Sequence, residues 1–84
     1  MNSAVFLTRT AEKDAMSLSG EYRERVKNAL RILAEAPLKG EALVGTYSGL
    51  RRYRVGDFRI VYEFDSSRHR ILMIKIRHRK EAYK

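Results

Sequence analysis

The fold of the chain is decided by residues 50–63, which read LRRYRVGDFRIVYE. Two β-prone runs, Leu50–Val55 and Phe58–Phe64, flank Gly56-Asp57, and a two-residue loop with glycine first favours a type II′ hairpin turn. A loop of two residues fixes the register of a hairpin, because it determines which residues lie opposite each other. The stretch therefore predicts two paired strands whose side chains sort onto two faces.

The predicted register separates a basic face from an apolar face. Arg54 lies opposite Arg59 and Arg52 lies opposite Val61, so three guanidinium groups share one side of the hairpin. Like charges directly opposite each other destabilise a sheet by about 0.2–1 kcal/mol, which favours anion binding over a merely solvated face. Guanidinium groups bind phosphate through paired hydrogen bonds. The apolar face is expected to pack against the helices and form the core. It consists of Tyr53, Val55, Phe58, Ile60 and Tyr62.

Upstream of the hairpin, the sequence predicts one strand and two helices. The strand covers Ala4–Thr8, and a short helix covers Thr10–Leu18 with its first residue as the cap. Ser19 caps a second helix, which ends near Ala36 because Pro37 disfavours helical geometry in the residue before it. The apolar stripe of this second helix follows helical spacing and consists of Tyr22, Val26, Ala29, Leu30 and Leu33.

The remaining segments complete an α+β fold. Residues 38–49 are predicted as a glycine-punctuated loop, and 65–70 as a polar turn. Ile71–Arg77 is predicted as a further strand, and His78–Lys84 as a basic tail. The order β-α-α-β-β-β predicts a helical hairpin packed on one face of a small, mainly antiparallel sheet. We expect a single domain over residues 1–84, because chains of this length do not divide.

Composition and charge narrow the classes of function. The 84 residues carry 18 basic and 10 acidic side chains, and residues 43–84 hold eleven of the basic ones against four acidic ones. The absence of cysteine excludes disulfides, thiolate nucleophiles and cysteine-bound metal centres, and it fits a cytoplasmic protein. No metal-ligand spacing and no phosphate-binding glycine loop is present, so neither a metal nor a small-molecule cofactor is expected. The apolar runs are too short for a membrane span.

The C-terminal segment adds further basic groups and an aromatic ring. It contains Arg77, Arg79, Lys80 and Tyr83. Basic groups interleaved with an aromatic side chain suit single-stranded nucleic acid, whose phosphates require charge and whose bases require a stacking surface. His78 lies beside them and is either a proton-transfer group near neutral pH or a strand-end histidine without a task.

Two stretches, YRVGDFRIVYE at 53–63 and HRKEAY at 78–83, resemble the RelE branch of the RelE/ParE toxin superfamily. The order of the elements matches as well, so the resemblance covers essentially the whole chain. It implies a RelE-like toxin of a type II toxin–antitoxin pair, which enters the ribosomal A site and cleaves the mRNA there. The implied reaction is a metal-independent attack of a ribose 2′-OH on the neighbouring phosphate. The implied partners are a RelB-like antitoxin, the ribosome and mRNA.

The resemblance also implies which residues carry the chemistry. Arg59 and Arg79 would stabilise charge on the phosphate, Arg52 and Arg54 would orient the RNA, and Tyr83 would stack on a base or transfer a proton. Arginine stays protonated because its pKa lies above about 12, so it does not replace the lysines of some relatives as a base. The proton-transfer role therefore falls to Tyr83 or His78, or it is weakly filled and positioning on the ribosome does most of the catalysis. The further RNA-binding residues are Arg51, Arg77, His78 and Lys80.

Two other functions stay open at this point. A ParE-like protein that inhibits DNA gyrase by binding shares the fold, but it usually lacks the convergent set of basic residues and tyrosine. A non-catalytic RNA-binding module would show salt-dependent RNA binding without cleavage on ribosomes.

Overall fold

The structure is a computed structural model and describes residues 2–79. The elements in chain order are β1 Ala4–Leu7, α1 Arg9–Ser17, α2 Gly20–Glu35, β2 Glu41–Ala42, a 3₁₀ turn at Gly45–Tyr47, β3 Arg51–Val55, β4 Phe58–Asp65 and β5 Arg70–His78. The strands form one sheet in the order β1-β5-β4-β3-β2. β1 is parallel to β5, and the other neighbours are antiparallel. The predicted α+β fold, with two helices on a mainly antiparallel sheet, is confirmed.

Both helices begin at a hydroxyl cap. The Thr8 hydroxyl accepts a hydrogen bond from the Ala11 N–H at 3.1 Å, so the prediction of Thr10 as the cap is wrong. The Thr8 hydroxyl also donates to the Ile74 carbonyl at 2.6 Å, and this tertiary bond selects it. Ser19 caps α2 as predicted, by accepting the backbone N–H three residues further on. No helix within residues 2–79 is long and apolar enough to cross a membrane.

The hydrophobic core lies between the two helices and one face of the sheet. From α2 it contains Val26, Ala29 and Leu33, three of the five residues in the predicted stripe. The other two, Tyr22 and Leu30, are partly buried against it. The sheet contributes Val55, Ile60, Tyr62, Ile71, Met73 and Ile76.

Tyr62 joins the core to the segment after α2. Its phenol donates to the Pro37 carbonyl at 2.7 Å and accepts from the Gly40 N–H at 3.0 Å. Burial of the phenol raises the pKa of Tyr62, so it stays protonated at neutral pH. The two bonds fix the path of the chain between α2 and β2.

The hairpin has the register that its turn predicts. Val55 pairs with Phe58, and Arg54 pairs with Arg59. Gly56 has a φ of +59°, and among the described non-glycine residues only His69 has a positive φ. This combination fits a type II′ turn, because a type I′ turn requires positive φ at both loop residues.

The strands also differ from the sequence prediction, since one strand was not predicted and the bounds of the others shift by at most one residue at an end. The segment 38–49, predicted as a loop, contains β2, whose two residues pair with Arg51 and Arg52 of β3. A strand of two residues is too short to leave an alternating pattern, so its existence depends on the neighbouring strand. β5 extends one residue beyond the predicted strand at each end.

The first helix covers part of an open sheet edge. β1 ends at Leu7, which pairs with Met73, so beyond this point no strand within residues 2–79 lies beside β5 on that side. There the Asp14 carboxylate of α1 accepts the Ile76 N–H at 2.9 Å. Together with the bond from Thr8 to Ile74, this contact holds α1 along the last residues of β5.

Candidate active site on the open face of the sheet

The side of the sheet opposite the helices, here called the open face, carries a row of arginines. Arg54 pairs with Arg59, and Arg59 pairs with Arg77. Directly paired residues point to the same side of a sheet, so these three residues form an arginine row across β3, β4 and β5. Arg52 lies two residues along β3 on the same side. The three arginines that the hairpin register placed on one face therefore lie there.

A cleft of about 290 Å³ opens beside this row. We call it the arginine cleft, and its lining residues are Lys39, Glu41, Arg52, Tyr53, Arg54 and Arg59. Lys39 and Glu41 were not predicted from the sequence. They enter the site because β2 pairs with β3, which brings the segment before and within β2 to the edge of the open face.

The arginines of the cleft differ in their protein partners. Nη2 of Arg52 lies 2.6 Å from Oε2 of Glu41. Nε of Arg54 donates to the Gly56 carbonyl at 3.1 Å, which ties this side chain to the hairpin turn. Arg59 is half-buried, and its side chain makes no hydrogen bond or ion pair with any residue in 2–79. Arg59 is therefore the guanidinium of the cleft that is most available to a bound anion.

Arg77 belongs to the row, but it has an acidic partner. Its Nη1 lies 2.6 Å from Oδ2 of Asp14, the same oxygen that accepts the Ile76 N–H. Both side chains of the ion pair are less than one third exposed. Arg77 does not line the arginine cleft, and its guanidinium is tied to Asp14, so it is a weaker candidate for RNA binding than Arg59.

Two predicted RNA-binding residues lie on the helical side of the sheet. Arg51 pairs with the buried Tyr62, and its Nη1 donates to the Gly40 carbonyl at 2.8 Å. His78 pairs with Phe58, and the two ring centroids are 5.3 Å apart in an edge-on arrangement. Period-two alternation separates both residues from the arginine row. The sequence prediction grouped them with it by proximity along the chain alone.

The start of the tail lies beside the hairpin turn. The Arg79 N–H donates to the Asp57 carbonyl at 2.8 Å, and the side chain of Arg79 is exposed. The predicted site residues Lys80 and Tyr83 lie outside the described residues. Within residues 2–79, no group of three or more histidine, aspartate or glutamate side chains is placed to hold a metal ion.

The chain matches the model of one protein family, described as the ParE toxin of the type II toxin–antitoxin system parDE, over residues 5–83. It is similar to the RelBE2 toxin–antitoxin complex from Mycobacterium tuberculosis, with a TM-score of 0.87, 25% identity and coverage of 93% of this chain and 99% of that chain. For the archaeal RelE–RelB complex from Pyrococcus horikoshii, the TM-score is 0.82, the identity 27% and the coverage 98% and 100%.

A mutant of the Escherichia coli toxin RelE in the free state has a TM-score of 0.82 at 19% identity, covering 98% of this chain and 88% of that chain. At that identity the likeness concerns the fold alone. No curated protein matches the sequence. The fold predicted from the sequence is thus the fold of RelE toxins.

Proposed function

The chain belongs to the ParE toxin family of type II toxin–antitoxin systems, within the RelE/ParE superfamily, and we propose that it is an endoribonuclease that cleaves mRNA in the ribosomal A site. The observation that carries the proposal is the arginine cleft, in which three guanidinium groups and one carboxylate meet on an open surface. An open site of this kind is accessible to an mRNA strand that is held in place by the ribosome.

The proposed reaction needs charge stabilisation on a phosphate. The ribose 2′-oxygen attacks the neighbouring phosphorus, the bond from phosphorus to the 5′-oxygen breaks, and the transition state carries extra negative charge. Arg59 is suited to stabilise that charge because it has no partner within residues 2–79 that must first be displaced. Removal of one such donor typically costs about 2.7–4 kcal/mol of transition-state stabilisation.

Glu41 supplies the proton acceptor that the arginines lack. It is the carboxylate that lines the arginine cleft, and arginine and lysine are protonated at neutral pH. In the proposed mechanism Glu41 takes the proton of the 2′-OH, while Arg52 holds the carboxylate at 2.6 Å. His78 lies on the helical side, so it is a poor candidate for this step. Tyr83 was predicted to stack on a base or to transfer a proton, and in the proposed mechanism it donates the proton that the leaving 5′-oxygen takes up.

Arg52 and Arg54 are placed to orient the RNA. Each is held by a neighbour, Arg52 by the Glu41 carboxylate and Arg54 by the Gly56 carbonyl. Side chains that are already positioned lose less conformational entropy when they bind a phosphate. Arg79 lies beside the hairpin turn with an exposed side chain, and its role in charge stabilisation is proposed on the resemblance alone.

We propose a RelB-like antitoxin as the neutralising partner. The similar structures from Mycobacterium tuberculosis and Pyrococcus horikoshii are toxin–antitoxin complexes. The net charge of +8 on this chain favours a partner with acidic side chains. The proposed site of action is the cytoplasm, where ribosomes translate.

Inhibition of DNA gyrase by binding is the second candidate, and the description of the matching family as ParE toxins favours it. The arginine cleft favours RNA cleavage, because a binding inhibitor has no need of a carboxylate among the arginines. A supercoiling assay with DNA gyrase separates the two candidates. Inhibition of gyrase by the wild-type protein, without cleavage of ribosome-bound mRNA, would replace the proposal.

The direct test is toeprinting on translating ribosomes with wild type and Arg59→Ala. We expect cleavage in the A site by the wild type and a loss of about 10²–10³ in rate for the variant. Arg31→Ala is the matched control, since Arg31 is an exposed arginine on α2 that has no partner within residues 2–79. A wild-type rate for Arg59→Ala would show that the cleft is not the active site.

A further inference from the structure

A second cleft lies on the open face, towards the other end of β4. Its volume is about 280 Å³. We call it the Phe6 cleft, and its lining residues are Phe6, Glu63, Asp65, Arg68, Arg70 and Leu72. None of these residues belongs to the site described above. The cleft combines an aromatic ring, two arginines and two carboxylates, which is an unusual set for a surface without a ligand.

The floor of the Phe6 cleft is a row across three strands. Phe6 of β1 pairs with Leu72 of β5, and Leu72 pairs with Glu63 of β4. The Phe6 side chain is 49% exposed, although it is one of the largest apolar residues of the chain. The guanidinium carbon of Arg70 lies 5.6 Å from the centroid of its ring. An exposed ring with a planar cation above it is a stacking surface for a base.

The two carboxylates of the cleft differ in their hydrogen-bond partners. Oδ1 of Asp65 accepts hydrogen bonds from the Ser67 hydroxyl at 2.7 Å and from the Ser67 and Arg68 N–H groups. The Ser67 hydroxyl is the main cause that holds the pKa of Asp65 below its ordinary value. Glu63 is exposed, and its side chain makes no hydrogen bond or ion pair with any residue in 2–79. The Glu63 carboxylate is therefore available to a ligand.

We propose that the Phe6 cleft binds a guanine base of single-stranded RNA. Guanine stacks on an aromatic ring, and its Watson–Crick edge presents two adjacent N–H donors to one carboxylate, here Glu63. Its O6 and N7 atoms accept hydrogen bonds from a guanidinium, which Arg68 supplies, because the guanidinium of Arg70 lies over the Phe6 ring and belongs to the stacking surface. Adenine and cytosine each present a single amino group at that edge, so Glu63 would discriminate against them.

The position of the cleft relative to the arginine cleft supports one continuous RNA path. Glu63 follows Arg59 by four residues on β4, a distance of about 13 Å along a strand. Between them lies Val61, whose partner Lys75 places its Nζ 5.5 Å from the centroid of the Tyr47 ring. A cation and an aromatic ring thus lie beside the segment of β4 that separates the two clefts, although neither residue lines a cleft. The inference rests on the proposed function, since it assigns the guanine to the strand that is cleaved several nucleotides away.

The test is two-dimensional NMR of the full chain with 5′-GMP and 5′-AMP, which share the phosphate and differ in the base. We expect amide shifts at Phe6, Glu63 and Leu72 to saturate with GMP at a concentration at least about fivefold lower than with AMP. Shifts near Arg59 should be the same for both nucleotides, because the phosphate causes them. Comparing the two nucleotides therefore separates the contribution of the base to binding from that of the phosphate.

Two variants and a control identify the groups responsible. Glu63→Gln should abolish the preference for GMP, while Phe6→Leu should weaken the binding of both nucleotides at this cleft. Glu21→Gln, an exposed acidic residue on α2, should behave as the wild type. The same spectra report whether each variant is folded.

Three results would overturn the inference: equal affinity for GMP and AMP, a preference that survives Glu63→Gln, or shifts confined to the arginine cleft. Stronger binding of acetyl-arginine amide than of GMP at Phe6 would overturn it as well, and would point to a basic protein segment. A separate result would contradict the proposed function. In that case the wild type does not cleave ribosome-bound mRNA, whatever its preference for GMP.

Discussion

The two faces of the sheet are built from alternate residues of the same strands, yet they follow opposite rules. On the helical side, Ile60, Tyr62 and Met73 are fully buried. Every buried polar side-chain atom of residues 2–79 has a hydrogen-bond partner. On the open face, Arg54 and Arg59 oppose each other with like charge, and Glu63 has no partner within residues 2–79. The helical side pairs its polar groups within the protein, whereas the open face leaves the side chains of Arg59 and Glu63 without a protein partner in residues 2–79 and accessible to a ligand.

The energies explain why a small protein tolerates this division. A like-charge pair across two strands costs about 0.2–1 kcal/mol, whereas truncation of a buried leucine costs about 2–5 kcal/mol. The free energy contributed by the buried side chains is therefore larger than the cost of the like-charge pair on the open face. The four predictions that follow test this contrast, beginning with the largest expected effect.

Glu41→Gln should reduce cleavage on ribosomes by about 10²–10⁴-fold, because the amide cannot accept the proton of the 2′-OH. Single-turnover cleavage of A-site mRNA measures the effect. Glu35→Gln is the control, since Glu35 is an exposed acidic residue at the end of α2. A variant at Glu41 that cleaves as fast as the control would remove the carboxylate from the mechanism.

Leu33→Ala should lower the free energy of unfolding by about 2–5 kcal/mol, because Leu33 is fully buried and the substitution leaves a cavity. Urea unfolding followed by circular dichroism gives the value. Ile32→Ala removes a similar side chain from the preceding position, which is 37% exposed, and it should cost clearly less. Equal losses for the two variants would contradict the assignment of the core.

Gly40→Ala should lower the free energy of unfolding by about 1–3 kcal/mol through overpacking. A Cβ atom at this position would lie 2.7 Å from Cε1 of Tyr62 and 2.9 Å from the Arg52 carbonyl oxygen. Gly20→Ala is the matched control, because the position begins α2 and a Cβ there would meet no atom within 4 Å beyond its chain neighbours and the backbone of the helix. Thermal unfolding of both variants checks the difference, and a neutral Gly40→Ala would contradict it.

Arg59→Thr should raise the free energy of unfolding by about 0.2–1 kcal/mol, because it removes a like charge opposite Arg54 and introduces a β-prone residue. The gain should shrink from low salt to 1 M salt, where charges are screened within about 3 Å. Urea unfolding at the two salt concentrations measures it. Destabilisation at low salt would mean that Arg59 contributes to folding rather than to binding.

The sequence was sufficient to predict the features of the fold that depend on residues close together in the chain. The two-residue turn set the register that brings Arg54 opposite Arg59, and Pro37 set the end of α2. Ser19 was predicted as a cap and is one. Thr8 was missed because its selection over Thr10 depends on a carbonyl of β5, far away in the sequence.

The candidate site was predicted in part for the same reason. Arg52, Arg54 and Arg59 follow from the hairpin alone. Glu41 depends on the pairing of a two-residue strand with β3, for which the sequence carries no periodic signal. Charge and proximity along the chain grouped Arg51 with the site, whereas the alternation of the strand places it with Tyr62 on the packed side.

The contact of α1 with the end of β5 also bears on how copies of the chain avoid each other. An unpaired strand edge is a template for another strand and thus a route to aggregation. Beyond Met73, where β1 has ended, the Ile74 carbonyl is bound by the Thr8 hydroxyl and the Ile76 N–H by the Asp14 carboxylate. A second molecule would have to displace α1 before it could add a strand there. The two contacts that hold α1 against β5 therefore also prevent another copy of the chain from pairing with this stretch of the sheet edge.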